Sequence, residues 1–402
     1  MSIVRLAWSY LAARPLLTAL HVAMLAIGVA TMILLVLFTA QTEERLERDA
    51  RPVDLVVGAK GSPLQLILSS VLHVDVPTGN IPYAEARKLA ASPMIASAIP
   101  ISLGDSFRGF RIVGTDAGFL DLYQASISKG RLFERPMEAV VGAEVAKRAR
   151  LEPGAKLVGS HGLAASGGTS HAAHPYVVVG VLEATGTVVD RLVVTSLESV
   201  WEVHEEHHPE PTAAPGAEPA NDDREVTSLL IKYRTPLAAA LLPRHVNATT
   251  SMQAAAPAYE SARLMNLIGV GVDTLRIFAL VLMFTAAVSV FVALTSALQE
   301  RRYDLALLRT LGARPATLFA LLAVEGVTLV IAGVILGLVL GHSAAEVVGS
   351  WIARSNPWSI TGLAWESAEI WVALGVIGAG ALTCLAPAVQ AYRRDPALLL
   401  KR

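Results

Sequence analysis

Apolar and polar positions follow one another along this chain in long blocks. One apolar block lies near the N-terminus, three lie close together after Gly271, and more than two hundred mostly polar residues separate the first block from the second. Residues 16–41, 277–299 and 370–392 contain no Asp, Glu, Lys or Arg, and each is longer than the about 20 residues that span a bilayer. The pattern predicts a membrane protein with four transmembrane helices and one large external domain.

The charges that border each block set the expected boundaries. We expect an interfacial helix over residues 1–15, transmembrane helices over 16–41, 272–299, 315–345 and 370–392, an external domain over 42–271, a coupling helix over 300–314, an external connection over 346–369 and a tail over 393–402. The third block contains one carboxylate, Glu325, which we expect to snorkel toward the interface. The 26 uncharged residues of the first block exceed the about 7 to 15 of a signal peptide, which favours an uncleaved anchor.

Composition supports this interpretation. Hydrophobic residues make up 53% of the chain and charged residues 17%, compared with about 25% charged residues in soluble domains. The net charge of -1 argues against a nucleic-acid partner, which would require a basic surplus. The single cysteine, Cys384, lies in the fourth block, so we expect no intramolecular disulfide to stabilise the external domain.

Lys and Arg residues cluster at one side of the predicted helices. Arg5 and Arg14 precede the first block; the other clusters are Arg301, Arg302, Arg309 and Arg314, and Arg393, Arg394, Lys401 and Arg402. By the positive-inside rule, this side faces the cytoplasm and the large domain lies outside.

The external segment is predicted to be a folded α+β domain. Strand-like apolar runs occur at residues 53–57, 110–113, 139–141, 176–182 and 191–194, with helical patterns at 82–91 and 143–149. Gly130, Gly154 and Gly180 are expected at strand ends, where a positive φ favours glycine. Residues 204–225 include a Pro-rich acidic stretch and are predicted to form a mobile loop.

The connection between the second and third helices carries the most specific pattern. Residues 300–313 read ERRYDLALLRTLGA, with Leu305, Leu308 and Leu311 on one apolar stripe and Leu307 beside it. Charged side chains occupy the other faces, and Gly312 suits a C-terminal cap before Pro315. The pattern predicts a short amphipathic helix parallel to the membrane.

On these residues the chain resembles the FtsX-like and MacB-like permeases of ABC transporters, the type VII or mechanotransmission group that includes LolC and LolE. The external domain is also similar to that family's periplasmic core, in Val113-Gly114, residues 129–133 (KGRLF), 140–146 (VVGAEVA) and 177–182 (VVVGVL). The resemblance implies four transmembrane helices, a large extracytoplasmic α+β domain and a place in the bacterial inner membrane with that domain in the periplasm.

The resemblance also implies a division of labour between subunits. In this family the coupling segment contacts an ATPase, and that role falls here on Glu300, Arg301, Arg302, Asp304, Leu307, Leu308, Arg309, Gly312 and Ala313. No G-x-x-x-x-G-K-[ST] loop occurs in the chain. We therefore expect no cofactor and no catalysis on this chain, with ATP and Mg²⁺ on a separate ABC ATPase, and further partners in a second permease copy, identical or different, membrane lipid and a periplasmic binding or adaptor protein.

Three glycines of the third block repeat every four residues. Gly333, Gly337 and Gly341 form two successive G-x-x-x-G patterns on one helical face, which allows close helix contact. Packing within the chain and dimerisation both remain open.

A group of histidines does not belong to this family pattern. His204-Glu205-Glu206-His207-His208 matches H-E-x-x-H, in which His204 and His208 hold zinc and Glu205 is a general base. Pro209 follows at once and no third ligand is evident. His161, His171 and His174 lie in another loop of the same domain, so zinc binding by these histidines, with a solvated loop as the alternative, is a second hypothesis.

The sequence thus predicts the permease subunit of an ABC transporter that couples ATP hydrolysis on a partner to movement of its outer domain. Three alternatives remain open: a zinc-related ABC permease that uses the periplasmic histidines, a membrane-anchored sensor or structural partner without transport, and an H-E-x-x-H metalloprotease. The substrate, the direction of transport and the identity of the second permease are not predicted.

Overall fold

The computed structural model describes residues 3–162, 174–205, 224–300, 312, 314–355 and 360–393. The chain forms two compact units. We call Met1–Thr42 with Ile268–Arg402 the transmembrane unit, and Glu43–Leu267 the outer unit. Residues 301–311 and 313, which make up nearly all of the predicted coupling helix, lie outside the described part, as do residues 206–223 of the predicted mobile loop.

The described helices are, in chain order, α1 (Ile3–Ala12), α2 (Pro15–Ala50), α3 (Pro63–Ser70), α4 (Tyr83–Ala90), α5 (Gly118–Leu122), α6 (Ala143–Ala149), α7 (Leu197–Glu205), α8 (Pro236–Thr249), α9 (Pro257–Glu300), α10 (Pro315–Ser355) and α11 (Ser367–Arg393). Proline begins five of them, because its fixed φ suits the first helical position and its missing N–H removes no helical bond there. At α3 the Ser62 side chain also accepts a hydrogen bond from the Gln65 backbone N–H.

Among the described residues, four helices are long and apolar enough to cross a membrane: α2, α9, α10 and α11. Three of them, α2, α9 and α10, run well past the predicted spans, and α10 takes in residues 346–355 of the expected external connection. α2 has 36 residues and α9 has 44, which gives lengths of about 54 Å and 66 Å. Both cross the boundary between the two units without a break in the helix.

The outer unit is built on one mixed sheet. Its described strands are β1 (Leu55–Ala59), β2 (Ile81–Pro82), β3 (Ile95–Phe107), β4 (Phe110–Thr115), β5 (Ile127–Gly130), β6 (Glu138–Val141), β7 (Lys156–Leu157), β8 (Ser160–His161), β9 (Tyr176–Leu182), β10 (Val193–Ser196), β11 (Glu225–Val226), β12 (Ser228–Tyr233) and β13 (Met252–Ala255). The order along the sheet is β13-β1-β12-β3-β4-β10-β6-β9-β5, with β7 beside β9 and β8 beside β3; β11 and β2 form a separate pair.

The long strand β3 joins the two halves of this sheet. Its first part pairs with β12 and its second part with β4, with a register shift between Leu103 and Ser106. One apolar cluster packs on the first half, around Leu55, Ile231 and Trp201, and another packs on the second half, around Ile112 and Tyr176. Two layers of helix and sheet around such cores are the α+β architecture that the sequence predicts.

One expectation about the glycines is wrong. Gly130 and Gly154 have φ values of +82° and +95°, as expected for turns. Gly180 instead lies inside β9 without a positive φ. A Cβ built on Gly180 would lie 2.3 Å from the Arg131 carbonyl oxygen, so glycine is required there by a close backbone approach.

Candidate functional site

The start of α2 and the end of α9 are joined by an ion pair. Arg14, just before α2, donates a hydrogen bond to the carboxylate of Glu300, the last residue of α9. Glu300 is also the first residue of the predicted coupling segment. Gly312 is described too, and its φ of +95° suits a glycine cap. Arg301, Arg302, Asp304, Leu307, Leu308, Arg309 and Ala313 lie outside the described residues, so their coupling role stays a prediction.

A small cavity lies beside this ion pair. Its volume is about 30 Å³, and Arg14, Thr18, His21 and Glu325 are among the residues that line it. That volume is enough for a single water molecule. Glu325 is only 5% exposed, which contradicts the snorkelling carboxylate expected from the sequence. Residues of α1, α2 and α9 also line the cavity and cover the Glu325 side chain, so its carboxylate faces the bundle interior.

The glycine stripe of α10 packs against α2. A Cβ built on Gly333 would lie 2.7 Å from the Leu25 side chain, and one on Gly341 would lie 2.8 Å from that of Ile33. At Gly337 the distances would be 2.6 Å to the Val29 side chain and 2.9 Å to a carbonyl oxygen of α2. The three glycines therefore allow α2 and α10 to approach at backbone distance within one chain.

The opposite end of the bundle contains a partly buried imidazole that the charge pattern does not reveal. On α10, His342 Nδ1 lies 2.7 Å from the Gly362 carbonyl oxygen and Nε2 lies 2.8 Å from Glu369 Oε2. The Trp365 ring stacks on the imidazole, with centroids 5.5 Å apart and planes 6° from parallel. Glu369 is fully buried, and its Oε1 accepts a hydrogen bond from the Glu366 backbone N–H.

The same end holds the described part of the connection between α10 and α11. The Gln41 amide at the end of the α2 span forms two hydrogen bonds with the Thr361 backbone, donating to its carbonyl oxygen at 2.8 Å and accepting from its N–H at 2.9 Å. Glu346 Oε2 accepts from the Thr361 hydroxyl and the Gly362 N–H, both at 2.9 Å. Side chains of α2, α10 and α11 thus fix this short connection in place.

In the outer unit, the last turn of α2 is anchored through Asp49. The Val188 N–H donates to Asp49 Oδ1 at 2.7 Å, and the Arg191 guanidinium lies 3.6 Å from Oδ2. The Tyr123 hydroxyl donates to the Asp49 carbonyl oxygen at 3.3 Å. Burial raises the pKa of Asp49 to about 6, because desolvation of the carboxylate outweighs its attraction to Arg191.

Two protein-family models match this chain. The MacB-like periplasmic core domain matches residues 18–243, more than half of the chain, and the FtsX-like permease C-terminal domain matches residues 276–396. The chain belongs to the FtsX-like and MacB-like family of ABC transporter permeases. The resemblance seen in the sequence is confirmed, and so are the membrane class and the α+β outer domain.

Solved structures give further neighbours of the permease. The periplasmic region of MacB from Actinobacillus actinomycetemcomitans shares 13% identity, with a TM-score of 0.35, over 55% of the permease and 98% of that chain. The extracellular domain of the noncanonic ABC-type transporter YknZ from Gram-positive bacteria shares 11% identity, with a TM-score of 0.30, over 50% of the permease and 98% of that chain. A comparison with curated proteins found no match.

The histidines of the permease are only partly described. His204 lies on α7, with Nδ1 2.7 Å from the Val200 carbonyl oxygen, and His174 lies just before β9. His171, His207 and His208 lie outside the described residues. Within the part of the permease that the structure describes, no three His, Cys, Asp or Glu side chains form a group that could hold a metal ion. The zinc hypothesis stays a prediction.

Sequence reasoning missed the two polar clusters of the permease, at His342 and at Asp49. Both residues are visible in the sequence, but a count of Asp, Glu, Lys and Arg treats His342 as neutral and places Asp49 beyond the apolar block. A search for every ionisable side chain in or next to a predicted span would have identified both, since such residues are rare in membranes and often functional.

Proposed function

We propose that this permease is the mechanical subunit of an ABC system, driven by a separate ATPase and moving its outer domain on the far side of the bacterial inner membrane. The observation that carries the proposal is the continuity of α2 and α9. Each runs as one helix from the transmembrane unit into the outer unit. A continuous helix transmits displacement along its length, whereas a flexible linker would absorb it.

The ion pair between Arg14 and Glu300 supports an input at the cytoplasmic end. It joins the residue just before α2 to the last residue of α9, and Glu300 continues directly into the predicted coupling segment. A push on that segment would therefore reach both long helices. The Lys and Arg clusters at this end support a cytoplasmic location, by the positive-inside rule.

The bonds that anchor the end of α2 in the outer unit support transmission of movement to that unit. Asp49 at the end of α2 is bonded to the backbone of Val188, and the Arg48 guanidinium donates to the Gly186 carbonyl oxygen at 3.2 Å. Movement of α2 would be passed through these bonds to the segment that leads into β10. The chain itself performs no bond chemistry in this scheme, and the work is done on a substrate outside the membrane.

The experiment is purification of tagged permease from membranes of its own host, followed by assay of Mg-ATP hydrolysis in the eluate. We expect an ATPase to co-purify with the wild type and to be lost with Leu307→Ala or Arg309→Ala. Lys147→Ala, an exposed cation of α6, is the matched control and should retain it. Absence of ATPase from the wild-type eluate would favour the sensor alternative.

Charge reversal tests the mechanical input separately. Arg14→Glu or Glu300→Arg should lower ATP hydrolysis of the purified complex, and the double reversal should restore it, because the ion pair is rebuilt with opposite polarity.

Labelling of single introduced cysteines tests the orientation of the chain in the membrane. A cysteine at Tyr303 that reacts with an impermeant maleimide added outside intact cells would overturn the scheme.

A further inference from the structure

The outer unit contains a groove at one end of its parallel strand pair. β4 and β10 run side by side in the same direction, with Thr115 opposite Ser196 at their carboxyl ends. The groove lies at these two ends and has a volume of about 480 Å³, within the about 300 to 1,000 Å³ of ligand-binding pockets. In α/β sheets, ligands bind in crevices outside the carboxyl ends of the strands. The groove therefore lies where such sheets commonly bind ligands.

One wall of the groove, residues 133–136, is fixed by hydrogen bonds. The Glu134 backbone N–H donates to Glu138 Oε2 at 2.9 Å. Just after this wall, the Met137 N–H donates to the Ser199 hydroxyl of α7 at 2.9 Å. These bonds hold the wall beside the start of α7. A groove whose walls are already ordered loses less entropy when a ligand binds.

Aromatic, proline and leucine side chains line much of the groove. They are Tyr83, Pro100, Phe133, Pro136 and Leu197. The Tyr83 ring packs on Trp201 with centroids 5.2 Å apart, and the indole N–H of Trp201 donates to the Glu225 carbonyl oxygen at 2.7 Å. Tyr83 and Phe133 are both partly exposed. Aromatic-lined grooves bind extended segments that contain proline, because a polyproline II conformation is already ordered before binding.

The charged side chains of the groove are mainly acidic. Among the described lining residues, Asp116, Glu134 and Glu198 are carboxylates and Arg135 is the one cation. Burial raises the pKa of Asp116, because desolvation of its carboxylate outweighs the backbone hydrogen bonds that it accepts. A cation bound beside it would therefore stabilise its ionised form. These three described carboxylates do not form a group that could hold a metal ion, which favours a ligand with separate positive charges.

We propose that this groove binds an extended, basic, proline-containing segment of a partner protein on the same side of the membrane as the outer unit. Prolines and aliphatic side chains of the segment pack on Tyr83 and Phe133, and its Lys or Arg side chains pair with Asp116, Glu134 and Glu198. An acidic segment would be repelled by the same carboxylates. This inference goes beyond the proposed function. Docking of the segment needs neither an ATPase nor nucleotide, so its failure would leave the proposed function standing.

The first test measures binding of labelled peptides to the full chain in nanodiscs of zwitterionic lipid, by fluorescence anisotropy without nucleotide and with empty nanodiscs as the blank. The peptide RPLPALPK has basic ends and a P-x-x-P core, EPLPALPE reverses its charges, and RGLGALGK replaces its prolines. We expect the first to bind, the second not to bind, and the third to bind about tenfold more weakly. Absence of binding by RPLPALPK, or equal binding by EPLPALPE, would overturn the proposal.

Charge reversal locates the binding site on the outer unit. Glu134→Lys and Glu198→Lys each reverse an exposed carboxylate of the groove, and each should weaken binding of RPLPALPK about tenfold, because an attraction becomes a repulsion. Glu152→Lys is the matched control. It makes the same charge change at an exposed position of the outer unit that does not line the groove, and it should bind like the wild type. Equal affinities in the three variants would contradict the proposal.

Competition separates a peptide site from a site for small cations. Unlabelled RPLPALPK should displace the labelled peptide, whereas spermidine at the same concentration should not, since it has charges but no side chains to pack on the aromatic rings. Phe133→Ala, which removes one of those rings without changing the charge, should weaken peptide binding about tenfold. Equal displacement by spermidine, or full affinity in Phe133→Ala, would show that charge alone is recognised and would overturn the assignment of a peptide ligand.

Discussion

The transmembrane unit and the outer unit reach close packing by opposite means. In the outer unit large aliphatic side chains fill the space beside the sheet, and Leu55, Ile101 and Ile112 are at most 1% exposed. In the transmembrane unit α10 approaches α2 at the smallest residues, where Gly333, Gly337 and Gly341 admit the side chains of α2. The apolar spans of α9 and α11 are only 22% and 17% buried, so most of their large side chains face outward.

The difference reflects the solvent around each unit. Water drives the burial of large apolar side chains in the outer unit. Lipid tails are as apolar as leucine, so helices in the bilayer gain from close backbone approach and from hydrogen bonds between them. His73 in the outer unit is buried, and its pKa is lowered to about 3 by desolvation, so the ring is neutral.

The largest expected effect is a side-chain truncation that should matter in one unit and not in the other. Ile101→Ala removes a fully buried side chain of β3 and should lower the free energy of unfolding by about 2 to 5 kcal/mol. Ile335→Ala, at a 58% exposed position of α10, should change it little. Thermal unfolding of both variants in detergent checks this, and similar losses would show that the exposed face of α10 is covered by a partner.

A small-to-large substitution should have different effects on two helices of the transmembrane unit, α10 and α11. Gly337→Leu places a side chain where even a Cβ would lie 2.6 Å from Val29, and overpacking of this kind costs about 1 to 3 kcal/mol. A Cβ built on Gly375 of α11 has no neighbour within 4 Å, so Gly375→Leu should leave the melting temperature unchanged. If the two variants melt alike, the glycine stripe does not hold α10 against α2.

Asp49 gives the outer unit a pH dependence of known sign. Its pKa is raised from 3.8 to about 6, so the folded state binds more protons than the unfolded state between these values, and this group's contribution to stability falls as pH rises from about 4 to 6. The shift corresponds to about 3 kcal/mol. Asp49→Asn should remove this slope from a plot of unfolding free energy against pH. An unchanged slope would mean that Asp49 is solvated in the folded protein.

The smallest effect concerns a surface carboxylate with the opposite sign. Glu138 accepts two hydrogen bonds from Arg131, at 2.7 and 2.5 Å, and these bonds lower its pKa to about 2. Its contribution is present above pH 4.5 and is lost as pH falls through about 2. Because half-exposed Arg131 is screened by solvent, Glu138→Gln should cost about 1 kcal/mol or less at pH 7. Glu134→Gln, whose carboxylate lies 3.9 Å from Arg131, should have no measurable effect in the same denaturant titration.

The elements with a strong local pattern were predictable. The strand over 176–182 and the helix over 143–149 coincide with β9 and α6. A valine-rich apolar run in the first and an acidic first turn with a basic last turn in the second are local properties of the sequence. The longest strand, β3, was missed. Its central residues Pro100, Gly104 and Asp105 are poor strand formers, and only pairing with β12 on one side and β4 on the other makes that conformation stable.

The sequence by itself determined that this is a four-helix membrane protein of one permease family with a large α+β domain, because hydropathy, charge asymmetry and the 300–313 pattern are read along the chain. The tertiary structure decided which residues contact one another. It places the glycine stripe against α2, buries Glu325, and brings Gly362 and Glu369 to the two nitrogens of His342. Those contacts join residues far apart in the sequence or on different helices, and their geometry is set by how the helices pack, which no local pattern specifies.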